Sequence, residues 1–528
     1  MNKHIKFLAD HAARGKLSRR DFLGKATALG FGAASANLLL SSAVSAAGPQ
    51  QGGTIRVGIQ GGSTSDSLDP AIVNNSTMNM VTRLWGETLV ALAPDGGLEP
   101  RVAESYEASA DAKTWTFKIR DGITFSNGQT VTANDVLATL DRHSNNESKS
   151  AALGLLKGIA DMRAEDNRFI VELSAPNADL PYLLSDYHLA IQPNGGKDDP
   201  AAAIGTGPYV LKAVEMGVRI LAEKNPNYWD DSIGHAGSIE IFVINDNTAR
   251  VAALQAGQVD MIDRVPPRTA ALVGRAPGVN VHSTAGPGHY VFVMHCDTAP
   301  FDNRDLRMAM KYAIDREEMV EKILFGYGSV GNDTPINSAY PFATEFEQRS
   351  YDPDKAQFYF KKSGHDGPVV LRTSDNSFPG APDAAALYQQ SAQKAGIPLD
   401  IKREPNDGYW SEVWNKQPFC TSFWAGRPVQ DQMLSTAYLS GADWNDTRFF
   451  NEQFDQLVVA ARGELDVAKR TQMYADASSL IRDEGGLVCP MFNDFLGATS
   501  DRIAGWVDGH KGYDLMDFRA PLKMWATA

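Results

Sequence analysis

The 528 residues of this chain contain no repeated unit, and so many residues cannot be packed around one hydrophobic core. Two or three domains are therefore expected. Beyond Gly48 the pattern mixes short strands with helices. Gly53 to Ile59 (GTIRVGI) and Thr114 to Arg120 (TWTFKIR) alternate apolar and polar residues, as half-buried strands do. TANDVLATLDRH begins on Thr132 with Asp135 three residues later, a capping-box signature for a helix start. From Asp302 the run DNRDLRMAMKYAIDREEMVEKIL predicts a helix with Leu306, Met310, Ala313 and Ile314 on one face and Arg316 and Glu317 on another. Two more helices are expected around Phe454 to Gly463 and Ala468 to Gly485. With 43% hydrophobic and 22% charged residues the composition is that of a soluble globular protein.

The net charge of −14 hides an asymmetry. Residues 1–47 hold seven Lys/Arg against two acids, so the remainder is more acidic than the whole. Such a surface argues against nucleic acid or anionic lipid as a partner. The basic start reads SRRDFLGK (Ser18 to Lys25), followed by an uncharged stretch from Ala26 to Ile55 and small residues at VSAA (Val44 to Ala47). Charged region, mildly apolar segment and small residues are the order of an exported precursor. Gly, Ser and Asn make the segment a poor membrane span. Its Ser-Arg-Arg-x-Phe-Leu-x-Lys pattern resembles a twin-arginine (Tat) signal, which implies export in the folded state through the Tat translocase. Residues 1–47 are expected to be removed, leaving a soluble periplasmic protein.

The chemistry that the sequence excludes is as informative. Cys296, Cys420 and Cys489 are odd in number and too far apart for a metal knuckle or a Cys-x-x-Cys. Each lies in an apolar run, which favours free thiols over a disulfide. There is no phosphate-cradling P-loop, no His-Glu-x-x-His and no Gly-x-Ser-x-Gly elbow. One Gly-x-Gly-x-x-Gly occurs at Gly326, Gly328 and Gly331, but it follows a predicted helix instead of a strand and leads towards Pro335. A dinucleotide needs a helix N-terminus there, so Gly326 is read as a helix C-cap. His289 and His295 share a strand-like run and are read as structural instead of a metal pair. No cofactor and no catalytic residue is predicted.

Six segments in order carry a resemblance: LDP (Leu68 to Pro70), LEPRVAESYEASADAKTWTFKIRDGITFSNGQTVTANDV (Leu98 to Val136), GTGPY (Gly205 to Tyr209), NPNYW (Asn225 to Trp229), ALQAGQVDM (Ala253 to Met261) and PFDNRDLRMAMKYAIDRE (Pro300 to Glu317). Together they resemble the family 5 extracellular solute-binding proteins, the dipeptide-, oligopeptide- and nickel-binding components of ABC importers. The resemblance implies an α/β fold: a two-lobed periplasmic-binding-protein clamp, type II and peptide-binding-protein-like, with an additional inserted subdomain. Lobe I is expected from 48–95 with 205–291 and 497–528, the inserted subdomain from 96–204, and lobe II from 292–496. GTGPY and PGHY (Pro287 to Tyr290) are candidate crossings between lobes. The implied partners are a small solute or peptide and the inner-membrane permease subunits, and the protein is expected to be a monomer without enzymatic activity.

In peptide-binding relatives a tryptophan near the lobe II cleft is followed three residues later by an aspartate that takes the peptide's α-ammonium. Trp424 matches the tryptophan, but the slot three on is Arg427. A guanidinium suits a carboxylate or phosphate instead. The alternative is an outward-pointing Arg427, or one paired with Asp431 across the turn. Asn74, Asn75 and Ser76 follow the LDP segment, where peptide-binding members touch ligand; their short polar side chains also suit sugar hydroxyls. Trp410 is a further aromatic candidate for the cleft, against a core role. Asn493 and Asp494 lie near the return to lobe I. The expected cargo is a small polar solute with an anionic group: a peptide derivative, an amino-acid–sugar conjugate of the opine type, or a modified or γ-linked peptide. The alternatives are a nickel- or haem-binding member of the same family, or a Tat-exported hydrolase.

Overall fold

Two long strands, Val279–Met294 and Leu487–Ser500, lie antiparallel in the computed structural model, and every other strand of the main sheet is added to one side or the other of this pair. The structure describes residues 48–145 and 147–527, together with residues 5, 6, 8, 9, 17 and 19–29. Most of the expected signal segment, including the side chains of Arg19 and Arg20, lies outside the described residues. The part from Arg19 to Ala28 is helical.

Beside Val279–Met294 come Phe419–Trp424, Val369–Thr373 and Leu399–Arg403; beside Leu487–Ser500 come Met261–Ile262, Thr54–Ile59, Ser238–Val243, Arg219–Lys224 and Tyr209–Glu215. Thr54–Ile59 runs parallel to both of its neighbours. The register of the central pair breaks between Ala285 and His289. On one side of that break Val279 packs with Leu496, Ala498, Leu254 and Val273. On the other, strand alternation sends successive side chains to opposite faces. Val291 and Val293 join a core with Cys420, Trp424, Val458 and Ile481, while Phe292 and Met294 join one with Leu371, Phe419, Leu306 and Tyr388. Thus the same two strands serve both lobes, and the Gly286-Pro287-Gly288 irregularity falls between them.

The first lobe's core forms around Ile55, Val57, Ile59, Ile239 and Ile241, the buried alternate positions of its strands, with Trp85 from the end of helix Ser76–Trp85. A separate antiparallel sheet, in the order Ala103–Ala108, Thr114–Ile119, Arg168–Leu173, Ile159–Glu165, carries helix Ala133–Ser144 on a core of Trp115, Phe117, Phe169, Val136 and Leu140. That helix starts on the capping box expected from its sequence: the Thr132 hydroxyl accepts from the Asp135 amide and the Asp135 carboxylate accepts from the Thr132 amide.

The run from Asp302 differs from expectation. It forms two helices, Arg304–Tyr312 and Arg316–Lys322, because the Asp315 side chain accepts from the Glu318 amide and caps a new start. Leu306, Met310, Ala313 and Ile314 are buried as predicted. Arg316 is buried too, its guanidinium 2.7 Å from the Asp333 carboxylate, so only Glu317 of the expected outer pair is exposed. The three cysteines are free, two of them buried and Cys296 half-buried. The glycine motif has a packing role: Gly328–Val330 is a strand paired with Leu487–Ser500, and a Cβ on Gly331 would lie 2.1 Å from the Cys489 carbonyl oxygen.

Candidate functional site

The main sheet leaves a cavity of about 1160 Å³ between its two halves, and both contribute walls. On the first lobe, strand Thr54–Ile59 delivers Gln60 and Gly61, and helix Ser76–Trp85 presents its N-terminal turn. Asn75 caps that helix through a bond from the Met78 amide (3.0 Å) and donates its own amide to Asp66 (2.9 Å), so its polar atoms are largely committed. Asn74 is exposed at the rim, and the Ser76 hydroxyl accepts from Arg264 Nη2 at 2.8 Å. Two turns on, Arg83 Nη2 lies 2.9 Å from an Asp517 carboxylate oxygen, and both side chains are buried.

The same wall holds an unusual backbone segment. Leu515, Met516, Asp517 and Phe518 have φ of 49°, 56°, 58° and 57°, four successive left-handed residues, none of them glycine. Each costs about 1–2 kcal/mol relative to the right-handed form. The turn sets Asp514, Asp517 and Phe518 into the cavity wall. Asp514 is 4% exposed; one of its oxygens accepts from the Arg264 amide (3.2 Å) and the other has no hydrogen-bond partner among the described residues. Burial pushes its carboxyl well above the usual range, and the neighbouring Asp263 adds to this.

On the second lobe, strand Phe419–Trp424 ends at the cavity. Trp424 is 5% exposed, packed edge-on against Trp414 (6.3 Å) and close to Trp444 (6.1 Å). The chain then turns at Gly426, whose φ is +82° and where a Cβ would meet Pro287 at 2.5 Å. This contact seats the turn directly on the irregularity of the crossing strands. Arg427 follows, half-buried, with its amide donating to the Tyr340 hydroxyl (3.1 Å) and Nη1 donating to the Gly426 carbonyl (2.7 Å). Its guanidinium carbon stands 5.7 Å from the centre of the Trp424 ring. Among the described residues it forms no ion pair with a carboxylate. Its charge is felt at His289, which burial first and Arg427 second hold down at about 4, so that this imidazole is neutral.

Six of the eight candidates therefore line the cavity: Asn74, Asn75, Ser76, Trp424, Arg427 and Asn493. Asp494 lines it as well and accepts from the Ser283 hydroxyl. Trp410 and Asp431 are not among the lining residues. Trp410 packs edge-on against Trp414 (5.8 Å) and Phe423 (5.7 Å), behind the wall that Phe423 forms. Asp431 is bound by Arg462, whose Nε is 3.0 Å from both carboxylate oxygens, and not by Arg427. Arg83, Arg264, Asp514 and Asp517 were missed by sequence reasoning. Nothing in GYDLMDF announces a left-handed turn, because such turns are ordinarily signalled by glycine or asparagine. Among the described residues no group of three His, Cys, Asp or Glu side chains is disposed to hold a metal ion, and no helix is long and apolar enough to cross a membrane.

Two α/β lobes joined by a pair of continuous strands, with a cavity walled by both, define a two-lobed binding clamp. The chain belongs to the bacterial extracellular solute-binding proteins, family 5, whose middle-region model matches residues 97–446. It is thus the solute-binding component of an ABC importer and not an enzyme. It is 27% identical over 480 residues to the glutathione-binding protein GsiB of Salmonella typhi, covering 86% of this chain and 93% of that one. It shares its fold with AgaA of A. tumefaciens R10, solved in complex with agropinic acid (TM-score 0.71, 24% identity, 90% of this chain and 99% of that one). It also shares it with the periplasmic murein tripeptide-binding protein MppA in its unliganded open form (TM-score 0.79, 19% identity, 91% and 99%).

Proposed function

We propose that this protein captures a small polar solute bearing an anionic group, held by Arg427, and delivers it in the closed state to the importer's permease. The observation that carries the reading is a half-buried guanidinium in the cavity wall whose only hydrogen bond among the described residues is to the Gly426 carbonyl. A glycine before it and an aromatic face beside it leave its planar fork available to a carboxylate or phosphate. Trp424 and Phe423 supply apolar walls, and Asn74, Ser76 and Asn493 supply short polar groups around the remainder of the ligand, while Asn75 holds the helix start that presents them. γ-Linked or modified peptides and opine-type conjugates fit this description, and relatives named for glutathione and agropinic acid support that range.

The lobes correspond, in this reading, to 48–95 with 205–291 and 497–528 for the first, 96–204 for the inserted subdomain and 292–496 for the second. The chain acts as a monomer in the periplasm after Tat export and removal of residues 1–47. Changing Arg19 and Arg20 together to lysine is expected to leave precursor in the cytoplasm; unaltered periplasmic yield would refute the Tat route.

Cargo recognition is tested by calorimetry on Arg427 variants with the co-purifying solute, identified by mass spectrometry. A charge-assisted hydrogen bond in a water-poor cleft contributes about 1.5–3 kcal/mol, so Arg427→Ala is expected to weaken binding roughly ten- to a hundredfold. Arg427→Lys recovers only part of this, because a point charge lacks the fork. Native affinity in Arg427→Ala would remove the anion from the proposal.

A further inference from the structure

The charged side chains that line the cavity can be sorted by what already occupies them. Arg83 and Asp517 neutralise each other. Asp186 is engaged by the ring and amide of His188, and Asp494 by the Ser283 hydroxyl. Arg264 donates to Ser76 and lies 3.8 Å from Asp263. Among the described residues three of these charged side chains have no charged partner: Asp494, which is half-buried and bonded to Ser283, Arg427 on the second lobe, and Asp514 on the first, which alone of the three carries a buried oxygen without a hydrogen-bond partner. The Asp514 side chain is 4% exposed, forms part of the cavity wall, and is followed by the left-handed turn.

We propose that Asp514 receives an ammonium group of the same solute whose anionic group Arg427 holds, so that the cargo is a zwitterion spanning the two lobes. The inference rests on the Arg427 reading for the anionic end but stands on its own residue for the cationic end. A buried oxygen with no donor is unfavourable in the empty cavity, and an ammonium supplies the missing donor together with the missing positive charge. The charge reversal at Arg427 then has a counterpart. The second lobe takes the anion, and the site for a cation lies on the first lobe, near the end of the chain.

The groups facing Asp514 fix the expected pH dependence. Asp263, itself ion-paired to Arg250 at 3.1 Å, repels the Asp514 carboxylate, while the Arg264 amide and side chain favour it. Burial outweighs both and favours the protonated form. An ammonium binds the ionised form only, so binding must displace a proton wherever Asp514 is protonated in the empty protein. Affinity for an amine-bearing solute is then expected to rise from about pH 6 to about pH 8, approaching tenfold per pH unit at the acidic end.

Calorimetry with two matched pairs of probes tests the proposal: glutathione and γ-glutamylalanine, each beside its Nα-acetyl derivative, which keeps the carboxylates and lacks the ammonium. The amine forms are expected to bind the wild type, with the acetyl forms roughly ten- to a hundredfold weaker. Asp514→Asn, which removes a buried charge and leaves the side-chain volume almost unchanged, is expected to abolish the difference within each pair. Arg427→Ala weakens all four probes, so a loss confined to one variant tells the two ends apart. Equal binding of the amine and acetyl forms by the wild type would overturn the proposal while leaving the anion site intact. So would undiminished binding of the amine forms by Asp514→Asn, or failure of the wild type to bind either amine form at millimolar concentration. Wild-type affinity for the amine forms that does not change with pH would overturn it as well, without reliance on any variant.

Discussion

Replacing Arg470 by alanine should open the clamp. Asp179 stands at the start of the short helix Leu180–Leu183, beside residues that line the cavity, and reaches across to Arg470 on helix Val467–Glu484. The side chains are 2% and 5% exposed. The guanidinium is stacked at 4.8 Å on Phe342, and alongside it the Ala178 amide donates to the Arg462 carbonyl at 2.7 Å. With the lobe boundaries proposed above, opening the clamp breaks this contact and returns both charges to water. Removing one member of a buried pair costs about 3–5 kcal/mol, because the other is left uncompensated. Here the penalty falls on the closed form alone, since the open form hydrates Asp179. Taking about 3 kcal/mol, the closed-to-open ratio falls roughly 150-fold. Even in the intact pair, burial pushes Asp179 up to about 6 while Arg470 is raised by its partner, so pairing offsets the carboxylate's desolvation only in part. Two consequences follow. The double variant Asp179→Asn/Arg470→Met should close nearly as well as the wild type. Because the closed-state pKa lies above the open-state value, this group favours closure fully below about pH 4 and ceases to as pH rises through about 6. Small-angle scattering of the ligand-free proteins at pH 5 and 8, with melting curves to establish that each variant is folded, provides the measurement. A folded Arg470→Ala with the wild-type radius of gyration at both pH values would refute the reasoning.

Two further substitutions probe the second lobe. Asp446 is fully buried, accepts from the Trp414 indole at 2.9 Å, and burial pushes its carboxyl up to about 7. Its folded pKa lies above the unfolded one, so its protonated form stabilises the fold at low pH and that contribution is lost as pH rises through about 7; Asp446→Asn, which keeps an acceptor for Trp414, should raise the melting temperature at pH 8 by the equivalent of a few kcal/mol at most and change little at pH 4, as calorimetric scans at the two pH values will show. Gly426→Ala adds a left-handed penalty of about 1–2 kcal/mol to a 2.5 Å clash with Pro287, and should lower both stability and solute affinity by moving the turn that carries Arg427; unchanged values in thermal and calorimetric titrations would mean that the turn yields freely.

What could be read from the sequence was mostly what is fixed by neighbours in the chain. Thr132 and Asp135 find each other across one turn, so their capping box was legible, as were the alternating positions of Thr54–Ile59. The break between Tyr312 and Arg316 was hidden because Leu306, Met310, Ala313 and Ile314 keep a helical spacing through it, although Asp315 was there to cap a second start. Trp424 and Arg427 were legible only as a departure from a family pattern, and their place in the cavity depends on the seating of Gly426 against Pro287, 139 positions away. Asp431 shows the converse: four residues from Arg427 in sequence, it is claimed by Arg462 from the next helix, at the same lobe contact that Arg470 secures with Asp179. Asp514 lay beyond any local rule, since its single free oxygen matters only after the first lobe, the left-handed turn and the end of strand Leu487–Ser500 have been brought together. The residues proposed to decide which solute fits are therefore those whose neighbours are distant in the chain, whereas the scaffold that brings them together is written in short-range patterns.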